Sequence, residues 1–401
     1  MSTEVREFTA GDLKRLLDRG DDLFVVDLRL RPEFEAWRIE GRKPVPTINV
    51  PYVEILGDGD TDDPAEAFTA YARKEWDGQL PRDRLILAVC AKGGTSAFLA
   101  QALRGLGYDA ANLAGGMVAW GNHYDVQPVV ESDALGIYQV NRPARGCLSY
   151  VLVSGEEAVV VDPLRHVEHY LDFVRDRRLR VTAVLDTHVH ADHISGGRRL
   201  ADLLGAPYCF HPYDAIHPID VLPAAIAFSY LHPDQEFAFG SARIRALHIP
   251  GHTLGNTAYL VNDRYLLTGD SIFIESVARP DLGGRGETWA PMHYRSLARL
   301  LTLPDDTVVL PGHFSSPAEA NAGGAYVATL GELRAKNEGL RMVLAGEEAF
   351  VRYMLSSLPV FPPQYVHIKR VNTGLLQPDE DKASELELGR NICAFAQAYR
   401  H

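Results

Sequence analysis

Cysteine is scarce in this sequence. Its 401 residues include four cysteines, Cys90, Cys147, Cys209 and Cys393, and no two of them stand at metal-site spacing. A disulfide framework and a cysteine-rich zinc site are therefore excluded as organising features. Dispersed free thiols are typical of a reducing compartment, so we expect a cytoplasmic protein.

Long apolar runs and an excess of basic residues are also missing. The longest apolar stretch, around "VLPAAIAFSYL", is far shorter than the roughly 20 residues of a membrane helix, and "MSTEVREFTAGDLKRLL" lacks the layout of a signal peptide. The formal net charge is −13, which argues against nucleic acid and anionic membranes as partners. We expect small-molecule partners, and we leave open whether the chain forms a homo-oligomer.

The pattern of apolar residues divides the chain into two parts. Residues 1–125 alternate short β-branched runs such as "LFVVDLR" with amphipathic stretches such as "TSAFLAQALRGLG", which predicts a small parallel-sheet α/β domain. Periodicity weakens over residues 126–136, which we interpret as a linker. Residues 137–401 contain many strands with intervening helices, which favours two sheets with helices outside, and a helical extension is expected from about residue 321.

Histidines and aspartates recur where predicted strands of the second part end. "THVHADHISGG" follows the apolar run "VTAVLD", and the later elements are "PGHTLGN", "LTGDS" and "LPGHF". A lone histidine at a strand end is most often solvated or hydrogen-bonded, but a repeated series of this kind is hard to explain by packing. Imidazole and carboxylate ligands suit Zn, Fe or Mn. The sequence therefore predicts a metal site built from seven candidates: His188, His190, Asp192, His193, His252, Asp270 and His313.

Cys90 ends the strand "LILAVC" and begins the glycine-bearing turn "CAKGGTSAFLAQAL". Backbone N–H groups at such a turn and at the start of the next helix favour a thiolate or an anion attached to it. A buried, inert cysteine is the alternative. We predict that Cys90 is functional, with a loop made of Lys92, Gly93, Gly94 and Thr95.

The first 121 residues resemble a rhodanese domain. "VVDLRLRPEFEAWRIEGR", "TINVPY", the Cys90 loop and "NLAGGMVAW" occur in the order of that family. The resemblance implies that Cys90 carries a sulfane sulfur as a persulfide. The family usually has Arg where this chain has Thr95, which removes a cation suited to a sulfonate or sulfate group. We therefore expect weak activity on thiosulfate, and a sulfur-binding domain without turnover is the alternative.

The second part resembles the metallo-β-lactamase fold, an αββα sandwich, from about residue 137 to 330. "HVHADH" matches the H-x-H-x-D-H signature, and "GCLSYVL", "VVDPLRHVEHYL" and "LTGDSIFIESVARPDLGG" are similar to the persulfide dioxygenase branch. That resemblance implies one Fe(II) per chain on His188, His252 and Asp270. His190, Asp192, His193 and His313 would then orient ligands or bind a second metal, and Arg279 and Asp281 resemble a supporting pair near the iron.

Together the two resemblances imply a persulfide dioxygenase fused to a rhodanese. It would oxidise a low-molecular-weight thiol persulfide with O2 to sulfite and free thiol, and the rhodanese part would transfer sulfane sulfur, with thiosulfate as a further substrate. Two alternatives stay open at this point. One is a glyoxalase II-like thioester hydrolase with two zinc ions, and the other is a non-catalytic sulfur carrier. The residue types do not distinguish iron from zinc.

Overall fold

The computed structural model describes residues 5–57, 63–356, 358, 361–387 and 389–395. Within this part of the chain, no helix combines the length and the apolar character needed to cross a membrane. The fold divides into two compact units, residues 1–123 with 142–145, and residues 124–141 with 146–401. We describe each unit by itself.

The first unit is built on a five-stranded parallel sheet in the order β1-β5-β4-β2-β3. Its central strands are almost fully buried, because helices cover both faces and leave no polar side to the sheet. The strands are β1 (Glu7–Phe8), β2 (Leu23–Asp27), β3 (Thr47–Asn49), β4 (Leu85–Val89) and β5 (Ala110–Leu113). The helices are α1 (Ala10–Arg19), α2 (Arg31–Ala36), α3 (Tyr52–Gly57), α4 (Pro64–Tyr71), α5 (Gly94–Gly105) and α6 (Gly116–Gly121).

The second unit contains a sandwich of two sheets. The first sheet has seven strands in the order β12-β11-β10-β9-β8-β7-β6. They are β6 (Asp125–Glu131), β7 (Gly136–Arg142), β8 (Cys147–Ser154), β9 (Glu157–Val161), β10 (Arg180–Leu185), β11 (Tyr208–Phe210) and β12 (Ser229–Tyr230). The second sheet has the order β13-β14-β15-β16-β18-β19. It consists of β13 (Glu236–Phe239), β14 (Ala242–His248), β15 (Thr257–Val261), β16 (Tyr265–Gly269), β18 (Val308–Pro311) and β19 (Ala328–Thr329), while β17 (Val277–Ala278) pairs with β20 (Ala394–Phe395).

Three apolar cores define the layers of this unit. The inner core joins the facing sides of the two sheets, with Leu152 and Val161 from one and Ile244 and Val261 from the other. Outer cores lie under the helices on each side, so the layers are helix, sheet, sheet, helix. The helices are α7 (Glu168–Asp176), α8 (Gly197–Leu204), α9 (Gly286–Leu300), α10 (Leu330–Lys336), α11 (Glu338–Ala345), α12 (Glu347–Ser356), α13 (Pro363–Asn372) and α14 (Glu380–Leu386). The predicted αββα sandwich is confirmed.

The prediction of a linker over residues 126–136 is wrong. Most of it is β6, which pairs antiparallel with β7 along an edge of the first sheet. Its side chains alternate between exposed and half-buried, and Val126 is 38% exposed. Pro128 and a register shift between Pro128 and Val130 interrupt the ladder, as edge strands tolerate. Such a strand carries little of the apolar pattern by which buried strands are predicted.

Candidate metal centre and cysteine loop

Four strand ends bring the predicted metal residues together. His188, Asp192 and His193 follow β10, His252 follows β14, Asp270 follows β16, and His313 follows β18. Four groups of ligand-type side chains form in the described part of this unit, each with ligand atoms within 4.8 Å of one another, and two of them hold most of the predicted residues. The first holds His188, His252 and Asp270, and the second holds Cys147, Asp192, His193 and His313.

The first group has the geometry expected around a metal ion. His188 Nε2 lies 3.9 Å from Asp270 Oδ2, and His252 Nε2 lies 3.5 Å from the same oxygen. All three side chains are fully buried, and none of these three atoms has a hydrogen-bond partner in the part of the chain that the structure describes. Burying unpaired polar atoms is costly. A cation among them would satisfy all three, so the residues fit a metal ion.

The other atoms of these side chains are engaged elsewhere. His252 Nδ1 lies 2.8 Å from the Arg279 carbonyl oxygen, and His188 Nδ1 lies 3.0 Å from Thr187 Oγ1. Asp270 Oδ1 is 2.6 Å from His313 Nδ1. These contacts fix the orientation of each ring and of the carboxylate, in the way that outer partners orient metal ligands.

The charges at the site favour neutral imidazoles and an ionised carboxylate in the first group. Burial, and then the nearby charge of His190, holds the pKa of His188 well below its ordinary value. Burial likewise lowers the pKa of His252. Burial opposes ionisation of Asp270, but the charge and the hydrogen bond of His313, together with the charge of His252, outweigh it and lower the pKa of Asp270. These are the protonation states in which the three groups bind metals.

The second group is more strongly charged. His313 Nε2 lies 2.8 Å from Asp192 Oδ2, and His193 Nδ1 lies 3.1 Å from Asp192 Oδ1. Against the effect of burial, Asp192 and Cys147 together raise the pKa of His193 to about 10. Burial disfavours the thiolate of Cys147, but His313 and His193 together lower the pKa of that thiol to about 7. Sequence reasoning did not place Cys147 at the site, because it stands within "GCLSYVL" at no metal-site spacing to another cysteine.

His190 lies in a third group, with Asp162 and Asp186. Its Nε2 is 3.2 Å from Asp162 Oδ1, and Asp186 accepts hydrogen bonds from Ser195 and Tyr208. Within the described residues, His190 Nδ1 has no hydrogen-bond partner. Sequence reasoning also missed the two aspartates, although each directly follows an apolar strand and the same strand-end pattern could have found them.

Arg279 and Asp281 form a two-point ion pair. Arg279 Nε and Nη2 donate to the two carboxylate oxygens of Asp281 at 2.7 and 2.8 Å. The Arg279 side chain is fully buried, which gives the pair a fixed place, unlike a solvated surface pair. Its link to the metal group is the backbone carbonyl that holds His252.

A cavity of about 270 Å³ adjoins the metal-ligand loops. Thr253, next to His252, contributes to its wall, and so does Lys369. The remaining wall includes the apolar or aromatic side chains of Tyr213, Ile216, Leu254 and Trp289, a second cation, Arg285, and the polar side chains of Asp214 and His217. The cavity has the size and lining to hold the body of a small organic ligand.

In the first unit, Cys90 lies at the end of β4, before α5. Gly93 N donates to Cys90 Sγ at 3.1 Å, and Ser96 Oγ lies 3.2 Å from the same sulfur. Gly93 has φ +86°, and a Cβ there would come within 2.8 Å of Gly115 N, so the loop requires glycine at this position. Lys92 and Gly94 are exposed and Thr95 is half-buried.

Comparisons with known proteins agree with this architecture. Residues 142–313 match the family model described as the metallo-beta-lactamase superfamily, and residues 9–123 match the rhodanese-like domain. The chain thus belongs to the metallo-β-lactamase superfamily and carries a rhodanese-like domain before the sandwich.

The relatives make the assignment more specific. Human mitochondrial persulfide dioxygenase ETHE1 is 30% identical over 233 residues, which cover 57% of this chain and 83% of that protein. Uncharacterized protein ML0493 of Mycobacterium leprae is 34% identical, over 42% of this chain and 87% of that protein. Among solved structures, a metallo-beta-lactamase from Staphylococcus aureus has a TM-score of 0.54 and 26% identity, over 60% of this chain and 72% of its own. The suspected fusion of a rhodanese domain to a relative of the persulfide dioxygenases is confirmed.

Proposed function

We propose that the second unit is an iron-dependent persulfide dioxygenase with one Fe(II) per chain. It would convert a persulfide R–S–SH, O2 and water into R–SH and sulfurous acid, which ionises to sulfite. The outer sulfur is oxidised, O2 is reduced, and the S–S bond breaks with a proton going to R–S⁻. The observation that carries this proposal is the convergence of three buried, unpaired ligand atoms from His188, His252 and Asp270.

The roles of the residues follow from their contacts. His188, His252 and Asp270 would hold Fe(II), and the metal would supply the binding and activation of O2 and of the substrate sulfur. His252 would be kept in place by the Arg279 carbonyl, and Asp270 by His313. The thiol body would rest in the cavity, where Lys369 and Arg285 supply positive charge for an anionic persulfide. Full burial of the ligands would exclude bulk water from the reacting sulfur.

The rhodanese-like domain would supply or remove sulfane sulfur through Cys90. The Cys90 thiolate would attack the outer sulfur of a donor, release the donor as a thiolate or as sulfite, and hold the sulfur as a persulfide. A small acceptor thiolate would then attack that sulfur and restore Cys90. The N–H group of Gly93 lies where it can stabilise the sulfur anion. The Ser96 hydroxyl donates to Asn112 Oδ1 at 2.7 Å and would have to turn its hydrogen to reach the sulfur.

One observation favours a second candidate, a thioester hydrolase with two zinc ions. The second group around Asp192, His193 and His313 could hold another cation, and His190 Nδ1 is an additional unpaired atom. In such an enzyme the two metals would activate water for attack on a thioester.

Metal loading tests the two candidates side by side. Metal-free protein is loaded anaerobically with Fe(II) or with Zn(II), and each form is assayed for O2 uptake with glutathione persulfide and for hydrolysis of an acyl-glutathione. We expect O2 uptake only with iron, at about one iron per chain, and no hydrolysis. Hydrolysis by a form with two zinc ions, without O2 uptake by the iron form, would replace the dioxygenase with the hydrolase.

A further inference from the structure

The loop that carries His188 to His193 is buried but has no regular secondary structure of its own. Its backbone groups therefore need partners from elsewhere in the fold. Asn372, the last residue of α13, supplies several of them. Its Nδ2 donates to the His190 carbonyl at 2.9 Å and to the His193 carbonyl at 2.8 Å, while its Oδ1 accepts from Ser195 N at 2.9 Å.

Two further side chains of the C-terminal segment hold the same loop. Lys369 Nζ donates to the carbonyl of Val189, the residue between the first two histidines, at 3.0 Å. Glu387 accepts from Ile194 N at 2.9 Å and pairs with Arg165 at 3.0 Å. Lys369, Asn372 and Glu387 are all more than 90% buried. Burying a lysine and a glutamate is expensive unless each is paired or hydrogen-bonded.

These contacts reach the metal loop from outside the segment that the superfamily model matches, which ends at residue 313. Both amide hydrogens and the oxygen of Asn372 are used, so the planar amide fixes the carbonyls of His190 and His193 relative to Ser195. Asp192 and His193 lie within residues 190–195, the stretch that Asn372 contacts, and His188 lies just before it. A change in the backbone here would move Asp192 and His193 directly, and it would move His188 through Val189, whose carbonyl Lys369 holds.

We propose that Asn372 and Lys369 are positioning residues of the metal centre, so that the C-terminal segment preorganises the loop from His188 to His193 before metal binds. The inference rests on the proposed metal site. It goes beyond the proposed function because it assigns part of the metal affinity to a helix that contributes no ligand.

The test uses Asn372→Asp in the full chain. The carboxylate can still accept from Ser195 N but cannot donate to the two carbonyls. We expect Co(II), a spectroscopic probe of the site, to bind 10- to 100-fold more weakly, the range typical for loss of outer partners of metal ligands. We also expect the amides of residues 189–195 to exchange hydrogen faster in the metal-free variant than in the metal-free wild type.

Gln139→Glu is the matched control. Gln139 is another buried amide with two donated bonds, to Tyr150 OH and to the Tyr326 carbonyl, and it accepts from Tyr326 N. Its substitution should lower thermal stability but leave Co(II) affinity and loop exchange unchanged. Lys369→Met provides a second variant in case Asn372→Asp does not fold, and it should weaken Co(II) binding in the same direction.

The outcomes separate the two proposals. Folded Asn372→Asp or Lys369→Met protein with wild-type Co(II) affinity and wild-type loop exchange would overturn the positioning role. A weakening equal to that of Gln139→Glu would also overturn it, because a general loss of stability would then be the cause. If wild-type protein bound neither Co(II) nor Fe(II), the proposed function would fail, and exchange in the metal-free loop would still decide whether Asn372 orders it.

Discussion

The geometry of the candidate metal centre depends on which atom of each ligand side chain already contacts another protein group. His252 uses Nδ1 and Asp270 uses Oδ1 in contacts with protein groups, so Nε2 and Oδ2 are the atoms left to meet. The sequence identifies these residues by their strand-end positions, but it does not specify ring orientation. Orientation depends on partners such as the Arg279 carbonyl, which only the folded chain brings into contact.

Glu319 provides a prediction about pH. Burial, and then the charge of Glu275, raises the pKa of Glu319 to about 7, above its unfolded value of 4.5. The folded protein therefore binds more protons than the unfolded chain between these pH values. The stabilisation is fully present below pH 4.5 and is lost as the pH rises to about 7, by on the order of 3 kcal/mol.

Urea unfolding at several pH values measures this dependence. Glu319→Gln keeps an oxygen that can accept from Ser315 N and Ser316 N, and it should flatten the pH dependence between pH 5 and 7. Glu332→Gln is the control. Thr329 lowers the pKa of Glu332, so this glutamate changes the pH dependence of stability only at pH values below about 4.5. An unchanged slope in Glu319→Gln would contradict the assignment.

Among the elements, the loop between β14 and β15 is tightly constrained by space. Gly251 precedes His252 and has φ +149°, and a Cβ there would lie 2.3 Å from His293 Cα on α9. Backbone atoms of a helix cannot move aside cheaply, so Gly251→Ala should displace the loop. We expect a destabilisation on the order of 2–3 kcal/mol and weakened metal binding, measured by thermal unfolding and metal titration.

Gly205→Ala is the matched control for this prediction. Gly205 ends α8 with φ +65°, and a Cβ added there would meet no atom within 4 Å beyond its own chain neighbours. We expect Gly205→Ala to lower the free energy of unfolding only by the cost of an alanine in the left-handed conformation, about 1 kcal/mol, and to leave metal binding unchanged. Equal effects of the two substitutions would show that contact with α9 does not constrain the metal loop.

Elements with strong apolar periodicity were predictable from sequence, and elements that depend on distant partners were not. β10 and β16 are buried runs followed by ligand-type residues, so both the strands and the site at their ends could be predicted. β6 was missed because an edge strand needs only one apolar face. The contacts of Asn372 with His190 and His193 join positions some 180 residues apart, and no local pattern indicates them.

At the scale of the whole molecule, the two units should carry separable chemistry. Cys90→Ser removes the sulfur-carrying atom of the first unit, whereas the metal group belongs to the second. We expect it to abolish transfer of sulfur from thiosulfate to a small thiol and to leave the oxidation of preformed persulfide unchanged. Asp270→Asn should do the reverse: it should lose oxidation and keep the loading of sulfur onto Cys90, which mass spectrometry detects as an added sulfur.

The same Cys90→Ser variant also tests whether sulfur transfer in the first unit is coupled to persulfide oxidation in the second. If thiosulfate-dependent and persulfide-dependent rates are both unaffected in Cys90→Ser, sulfane-sulfur transfer through this cysteine is not part of the function. A combined assay with thiosulfate, thiol and O2 should show oxygen uptake in the wild type and none in either variant.

Persulfide oxidation is tested by the ratio of O2 consumed to sulfite formed by iron-loaded protein with glutathione persulfide. We expect one sulfite for each O2, and we expect His252→Ala to lose both signals although the variant remains folded. Oxygen uptake without sulfite, or sulfite formation that survives His252→Ala, would contradict it.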